Sequence, residues 1–275
     1  MPYITTESQP AVELFYTDAG AGQPIVLIHC WPLSHQVWTQ QITALTSAGF
    51  RCIAYDRRGF GDSAKPDWGY DYDSFATDLH ALIVALDLRD VILAGYSMGG
   101  GEVVRYLTRY GTDRIAKVML ISTVLPFPMR AADNPDGVPR EVYEGLISSI
   151  QMDAESFIGG ISRSFVGWTG NQADRLTAPF EEVLALAERA APHAIIGCVR
   201  AFGMTDFRAE IANITVPVLI VHGTQDQMVP ASTSSLRLAA MLPGSTLALI
   251  EGGPHGLAIT HGAELSVAMV GFAAG

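Results

Sequence analysis

Ser97 stands in Gly95-Tyr96-Ser97-Met98-Gly99, directly after the apolar run Val91-Ile92-Leu93-Ala94. That pattern places a serine on a sharp strand-to-helix turn with its hydroxyl held out of the backbone. Glycines at 95 and 99 fit because a side chain at either would collide where strand and helix approach each other. A serine hydroxyl is a weak nucleophile; it needs a base, and the base needs a carboxylate to orient it. Asp226, in His222-Gly223-Thr224-Gln225-Asp226, and His255, in Gly253-Pro254-His255-Gly256, supply both in the order serine, aspartate, histidine. Taken singly, Asp226 reads as a turn or helix-cap aspartate and His255 as a loop histidine. Each follows a predicted strand, however, and together the three point to acyl transfer through serine. A tetrahedral intermediate also requires two N–H donors. The amide of Met98, next to the serine, and that of Trp31, in the loop after an earlier strand, are the candidates.

These residues need a scaffold that gathers strand ends. Residues 24–29, 50–56, 91–96, 117–122, 217–222 and 246–250 read as short, nearly continuous apolar strands, the pattern of strands buried on both faces. Residues 11–16 alternate weakly and lead into a turn-rich 18–22. Helical patterns fall at 36–46, 73–86 (with Asp71 or Asp73 as cap), 102–110, about 232–241 and 257–273. Strands alternating with helices at this rhythm mean an α/β fold built on a parallel sheet. The rhythm breaks after residue 124, where turn-rich Pro126-Phe127-Pro128 and Asp133-Asn134-Pro135-Asp136-Gly137 precede helical segments without strands. The expected organisation is a core of residues 1–124 and 211–275, with residues 125–210 inserted as a helical cap over the strand ends. Ligands bind there in open α/β sheets.

Composition narrows the function class. Of 275 residues, 49% are hydrophobic and 16% charged, enough for a large core and against disorder. The net charge of −11, without a basic run, argues against nucleic acid and anionic membrane surfaces as partners. The first residues lack the basic and apolar regions of a signal peptide, and no apolar stretch reaches membrane-spanning length. Cys30, Cys52 and Cys198 lack metal-ligand spacing and read as buried thiols, which fits a reducing cytoplasm. Neither metal nor cofactor is expected.

Further motifs add a resemblance. Trp31-Pro32-Leu33-Ser34, Tyr55-Asp56-Arg57-Arg58-Gly59-Phe60-Gly61-Asp62-Ser63, Gly69-Tyr70-Asp71-Tyr72-Asp73, Thr205-Asp206-Phe207-Arg208 and Pro254-His255-Gly256-Leu257 span nearly the whole chain. With Ser97, they resemble the α/β-hydrolase superfamily and, within it, the cofactor-free haloperoxidase, aryl esterase and perhydrolase family, which includes γ-lactamases. The resemblance implies a mostly parallel, twisted eight-stranded sheet with helices on both faces. It also implies Ser97, Asp226 and His255 as catalytic triad, and Trp31 and Met98 as oxyanion donors. The expected substrates are small esters, lactones or lactams, with hydrogen peroxide able to replace water as acceptor. The family commonly forms oligomers, so a homo-oligomer is compatible with the resemblance, though no motif here specifies one. A dehalogenase or epoxide hydrolase would need a carboxylate where Ser97 stands. The alternative from another class is a ligand-binding receptor or pseudo-enzyme that keeps the pocket without turnover. One departure stands out: Cys30 occupies a position where the family usually has glycine. Either Cys30 reshapes the oxyanion loop or narrows the acyl pocket, or it is a small buried residue tolerated at a strand end. For the pocket lining, Cys30, Trp31, Phe127, Met129, Ile158, Phe165, Trp168 and Phe202 are the candidates.

Overall fold

A computed structural model of the protein describes residues 2–8, 10–170 and 173–275; residues 171 and 172 of the expected insertion lie outside the described residues. Among those described, the strands are β1 (Tyr3–Thr5), β2 (Glu13–Gly20), β3 (Pro24–Ile28), β4 (Arg51–Tyr55), β5 (Val91–Tyr96), β6 (Ile115–Ile121), β7 (Val218–Gly223) and β8 (Thr246–Ile250). They form one eight-stranded sheet in the order β1-β2-β4-β3-β5-β6-β7-β8. From β4 across to β8 every pairing is parallel; β1 and β2 add an antiparallel margin. Strands β5 and β7 are buried at every position, as the unbroken apolar runs imply. The chain leaves β3 toward β4 on one side and returns to β5 on the other. The loops after β3 and β5 therefore flank the point where strand order reverses, and a crevice opens there.

Helices α1 (Thr39–Ser47) and α10 (Gly262–Ala274) pack on each other, as do α2 (Tyr72–Ala85) and α3 (Met98–Tyr110). Helix α2 starts where Asp71 caps it, its carboxylate accepting from the Ser74 amide at 2.9 Å. Between β6 and β7 lie α4 (Arg140–Met152), α5 (Ala154–Phe165), α6 (Ala173–Ala187) and α7 (Pro192–Met204), with α4 against α7 and α5 against α6. Helix α8 (Ser235–Met241) precedes β8, and the short α9 (Leu257–Thr260) follows it. No helix among the described residues is long and apolar enough to cross a membrane.

The differences from the sequence reading have local causes. Strand β2 runs on through Asp18-Ala19-Gly20, where a turn was expected. Antiparallel pairing from Tyr16↔Tyr55 to Gly20↔Arg51 holds it, and Arg51 grips the Asp18 carboxylate with two hydrogen bonds. The C-terminal helix is interrupted at His261, whose non-helical backbone (φ −129°, ψ 38°) separates α9 from α10. Strand β8 is the sheet's edge, and its Leu247 and Leu249 are exposed rather than buried.

The loop after β4 is more than a glycine-punctuated connection. Arg57 is wholly buried; its Nε donates to Glu102 Oε2 of α3 at 2.8 Å and its Nη2 to the His29 carbonyl at 3.1 Å. The Tyr55 hydroxyl donates to the other Glu102 oxygen. Arg58 makes a two-pronged pair with Asp78 of α2, both contacts at 2.7 Å. Charges taken this far from water are tolerated only while paired, and removing one partner leaves the other stranded. Glu102→Ala should therefore lower unfolding stability by about 3–5 kcal/mol. That loss would be read as a drop in the urea midpoint at unchanged slope; a loss below about 1 kcal/mol would mean Arg57 is hydrated in the folded state.

Candidate active site

Ser97 occupies the turn between β5 and α3 with φ 54° and ψ −116°, a left-handed conformation that a residue with a side chain adopts only when its surroundings impose it. Two hydrogen bonds and two glycines impose it here. The Ser97 amide donates to Ile121 of β6 at 2.7 Å, and its carbonyl accepts from Gly100 at 3.0 Å. A Cβ on Gly95 would lie 2.5 Å from the Gly99 carbonyl oxygen, and one on Gly99 would lie 2.8 Å from that of Ile28. Only hydrogen fits at either position, so α3 can start directly behind the serine. The Met98 amide opens that helix, where no intrahelical acceptor precedes it.

His255 follows β8 and turns its Nε2 to Ser97 Oγ at 3.0 Å, while its Nδ1 lies 2.7 Å from Asp226 Oδ2. The other carboxylate oxygen, Oδ1, accepts from the amides of Met228 (3.0 Å) and Val229 (2.9 Å). Burial disfavours the Asp226 charge, yet His255 and His222 together hold its carboxyl well below the usual carboxylate range. Tyr96, one residue before the serine, donates its hydroxyl to the His255 carbonyl. Phe165 stands edge-on to the His255 ring, with centroids 5.2 Å apart and planes at 90°. The Phe165 carbonyl at the end of α5 accepts from the Gly256 amide at 2.6 Å. The histidine is thus braced from the strand side and from α5.

The loop after β3 is set by His29. Its Nε2 accepts from the Arg57 amide at 3.0 Å, leaving the proton on Nδ1, which donates to the Cys30 carbonyl at 2.8 Å. Burial first, and Arg57 next, lower its pKa to about 3, so the ring is neutral. The Leu33 amide meets the same carbonyl at 3.1 Å. Because the Cys30 carbonyl and the Trp31 amide share one planar trans peptide, fixing the first turns the second to the opposite side. The Trp31 indole donates to the Ile195 carbonyl of α7 at 3.1 Å and meets Phe202 edge-on at 5.4 Å.

Ser97 and His255 open onto a cavity of about 960 Å³. Of the expected lining residues, Trp31, Trp168 and Phe202 border it, while Cys30, Phe127, Met129, Ile158 and Phe165 do not. Phe165 lies beneath His255 instead, and Phe127 stacks under the Arg208 guanidinium at 5.0 Å. Ile158 is taken into the packing of α5. Cys30 is fully buried behind the loop and its backbone does not take a positive φ, so glycine is not required there. The sequence reading missed Tyr143, Leu146 and Ile161 on the wall, since helical periodicity does not say which apolar stripe faces a cavity, and Val124 in the loop after β6. It also missed Tyr96, although its place beside Ser97 was in view, and His222. The signal for His222 was a polar side chain four residues before Asp226 in an otherwise apolar strand.

Residues 23–262 match the family described as having the alpha/beta hydrolase fold. Over 265 residues the chain is 40% identical to a non-heme chloroperoxidase of Kitasatospora aureofaciens, covering 95% of this chain and 94% of that one. It is 34% identical to a bifunctional esterase/perhydrolase of Acinetobacter calcoaceticus over 280 residues, covering 99% of each. Among solved structures, a bromoperoxidase from Bacillus anthracis superposes with a TM-score of 0.93 at 39% identity, covering 99% of this chain and 100% of that one. A buried, unstrained Cys30 away from the cavity leads to a specific expectation. Cys30→Gly should leave the relative rates on a panel of esters within about twofold of the parent, at a stability cost of about 1 kcal/mol. Parallel turnover and urea titrations would check it, and a changed ester ranking would restore Cys30 as a determinant of specificity.

Proposed function

Because this chain belongs to the α/β-hydrolase family, we propose that it is a serine hydrolase acting on small esters and lactones through an acyl-enzyme. The observation that carries this reading is the unbroken hydrogen-bond line Ser97 Oγ, His255, Asp226 at 3.0 and 2.7 Å, ending on a cavity. Ser97 attacks the carbonyl carbon while His255 Nε2 takes its proton, and Asp226 holds the imidazole in the tautomer that makes Nε2 the base. The developing oxyanion is met by the amides of Trp31 and Met98. Collapse expels the alcohol, which leaves with the proton from His255. Water then attacks the acyl-enzyme, releasing the acid and restoring Ser97.

Hydrogen peroxide attacking in place of water releases a peracid, which can oxidise halide away from the protein. The likeness to an esterase/perhydrolase supports this second acceptor. Turnover of γ-lactams would use the same groups. Residues 125–210 serve in this reading as a cap, its Tyr143, Leu146 and Phe202 joining Trp31 of the β3 loop to form the apolar substrate wall. Three buried free thiols support a reducing, cytoplasmic setting.

A fluorophosphonate probe should label the protein at Ser97, and Ser97→Ala should abolish both labelling and turnover of p-nitrophenyl acetate, a fall in kcat of about 10³–10⁶-fold. Asp226→Asn should retain labelling at a much lower rate, with kcat down by about 10⁴-fold. Absence of serine-dependent labelling and turnover would replace the enzyme reading with that of a ligand-binding protein.

A further inference from the structure

His222, near the end of β7, is fully buried and is the second histidine on the Asp226 carboxylate. Its Nε2 lies 3.1 Å from Asp226 Oδ2 and 2.8 Å from the Val229 carbonyl oxygen. Both neighbours are acceptors, so this nitrogen carries the proton. Its Nδ1 lies 2.6 Å from the hydroxyl of Ser235, itself buried at the start of α8. With the proton on Nε2, Nδ1 accepts from the Ser235 hydroxyl, and the partners select the tautomer. Asp226 Oδ2 thus receives His255 Nδ1–H and His222 Nε2–H, while Oδ1 receives two amides. Each donor withdraws negative charge from the bond to His255.

We propose that His222 is a positioning residue that holds Asp226 toward His255 and lowers the basicity of His255, keeping that base free of its extra proton at lower pH. The proposal rests on the triad reading above. A carboxylate relieved of the His222 donor would attract the His255 imidazolium more strongly, so removing that donor raises the pH at which the base becomes available. Other groups face this system. Ser97 meets His255 Nε2, and the Tyr96 hydroxyl meets the His255 carbonyl. Asp136, Arg175 and His261 border the cavity, Asp136 pairing with Arg237 of α8 at 2.6 Å. Glu251 precedes the His255 loop and is exposed. Among the described residues none of Asp136, Arg175, His261 and Glu251 is hydrogen-bonded to Asp226 or His222, so the His222 contact separates from them.

The test is the pH profile of kcat/KM for p-nitrophenyl acetate in the parent, His222→Leu and His222→Gln, with Ser97→Ala as background. For His222→Leu the acid limb should move up by about 0.5–1 pH unit, with kcat down by about 10-fold from lost alignment. His222→Gln keeps an N–H donor and should hold the limb within about 0.2 pH unit of the parent. An unmoved or lowered limb in folded His222→Leu overturns the proposal while leaving the serine mechanism intact. Lack of Ser97-dependent turnover in the parent overturns both. A second measurement needs no variant: imidazole ¹⁵N shifts of the parent should show the His222 proton on Nε2, facing Asp226 and the Val229 carbonyl. Protonation on Nδ1 alone would overturn the proposal even if His222→Leu fails to fold.

Discussion

Everything near the cavity depends on one backbone constraint, the left-handed turn at Ser97. Such a conformation costs on the order of 1–3 kcal/mol and persists only where the surroundings over-determine it. Here the surroundings are two central strands and a helix. The Ser97 amide is tied to β6, and Gly99 sits against the end of β3 closely enough to exclude even a methyl group. The same close approach brings the β3 loop, with Trp31, next to the start of α3. Backbone packing therefore sets the spacing between the proposed nucleophile and the proposed oxyanion donors. Side-chain rotamers do not.

A second layer holds that arrangement from below. Arg57 joins three elements by donating to Glu102 of α3 and to the His29 carbonyl after β3, while its own amide donates to the His29 ring. A neutral His29 then carries the constraint to the Cys30 carbonyl. The buried ion pair contributes little net stability by itself, since desolvation offsets most of the attraction. Its contribution is geometric, because a planar guanidinium satisfies several acceptors in fixed directions.

How much of this was legible in sequence follows from the range of the forces involved. Ser97 could be read because its turn is local: five consecutive residues carry the glycines and the serine that the geometry needs. Asp226 and His255 could be placed because strand ends in a parallel sheet converge, and each follows a short apolar run. The parallel core strands were visible for the same reason, whereas the extension of β2 was hidden, since its polar Asp18 is held in the sheet by Arg51 from a strand over thirty residues away. The cavity wall was legible only in part. Phe165 and Phe202 are both aromatic residues on helices of the insertion, yet one supports His255 and the other faces the cavity. Nothing in their local sequence separates them, because the docking of one helix on another decides it. Cys30 departs from the glycine that the resemblance implies, but its backbone lies where any residue is comfortable.

The hydrogen bond from the Gly256 amide to the Phe165 carbonyl joins the last residue of α5 to the residue after His255. It makes that helix and the His255 loop one mechanical body. A displacement of α5 large enough to widen the cavity at this end would pull His255 away from Ser97. Under the proposed mechanism a gaping molecule would then be chemically silent, with the hydroxyl deprived of its proton acceptor. Traffic into the cavity leaves the Ser97–His255 contact intact only along walls not tethered in this way, such as the side bordered by Tyr143 and Leu146 of α4. The fold thus links the fit of a guest to the readiness of the serine through a single backbone contact.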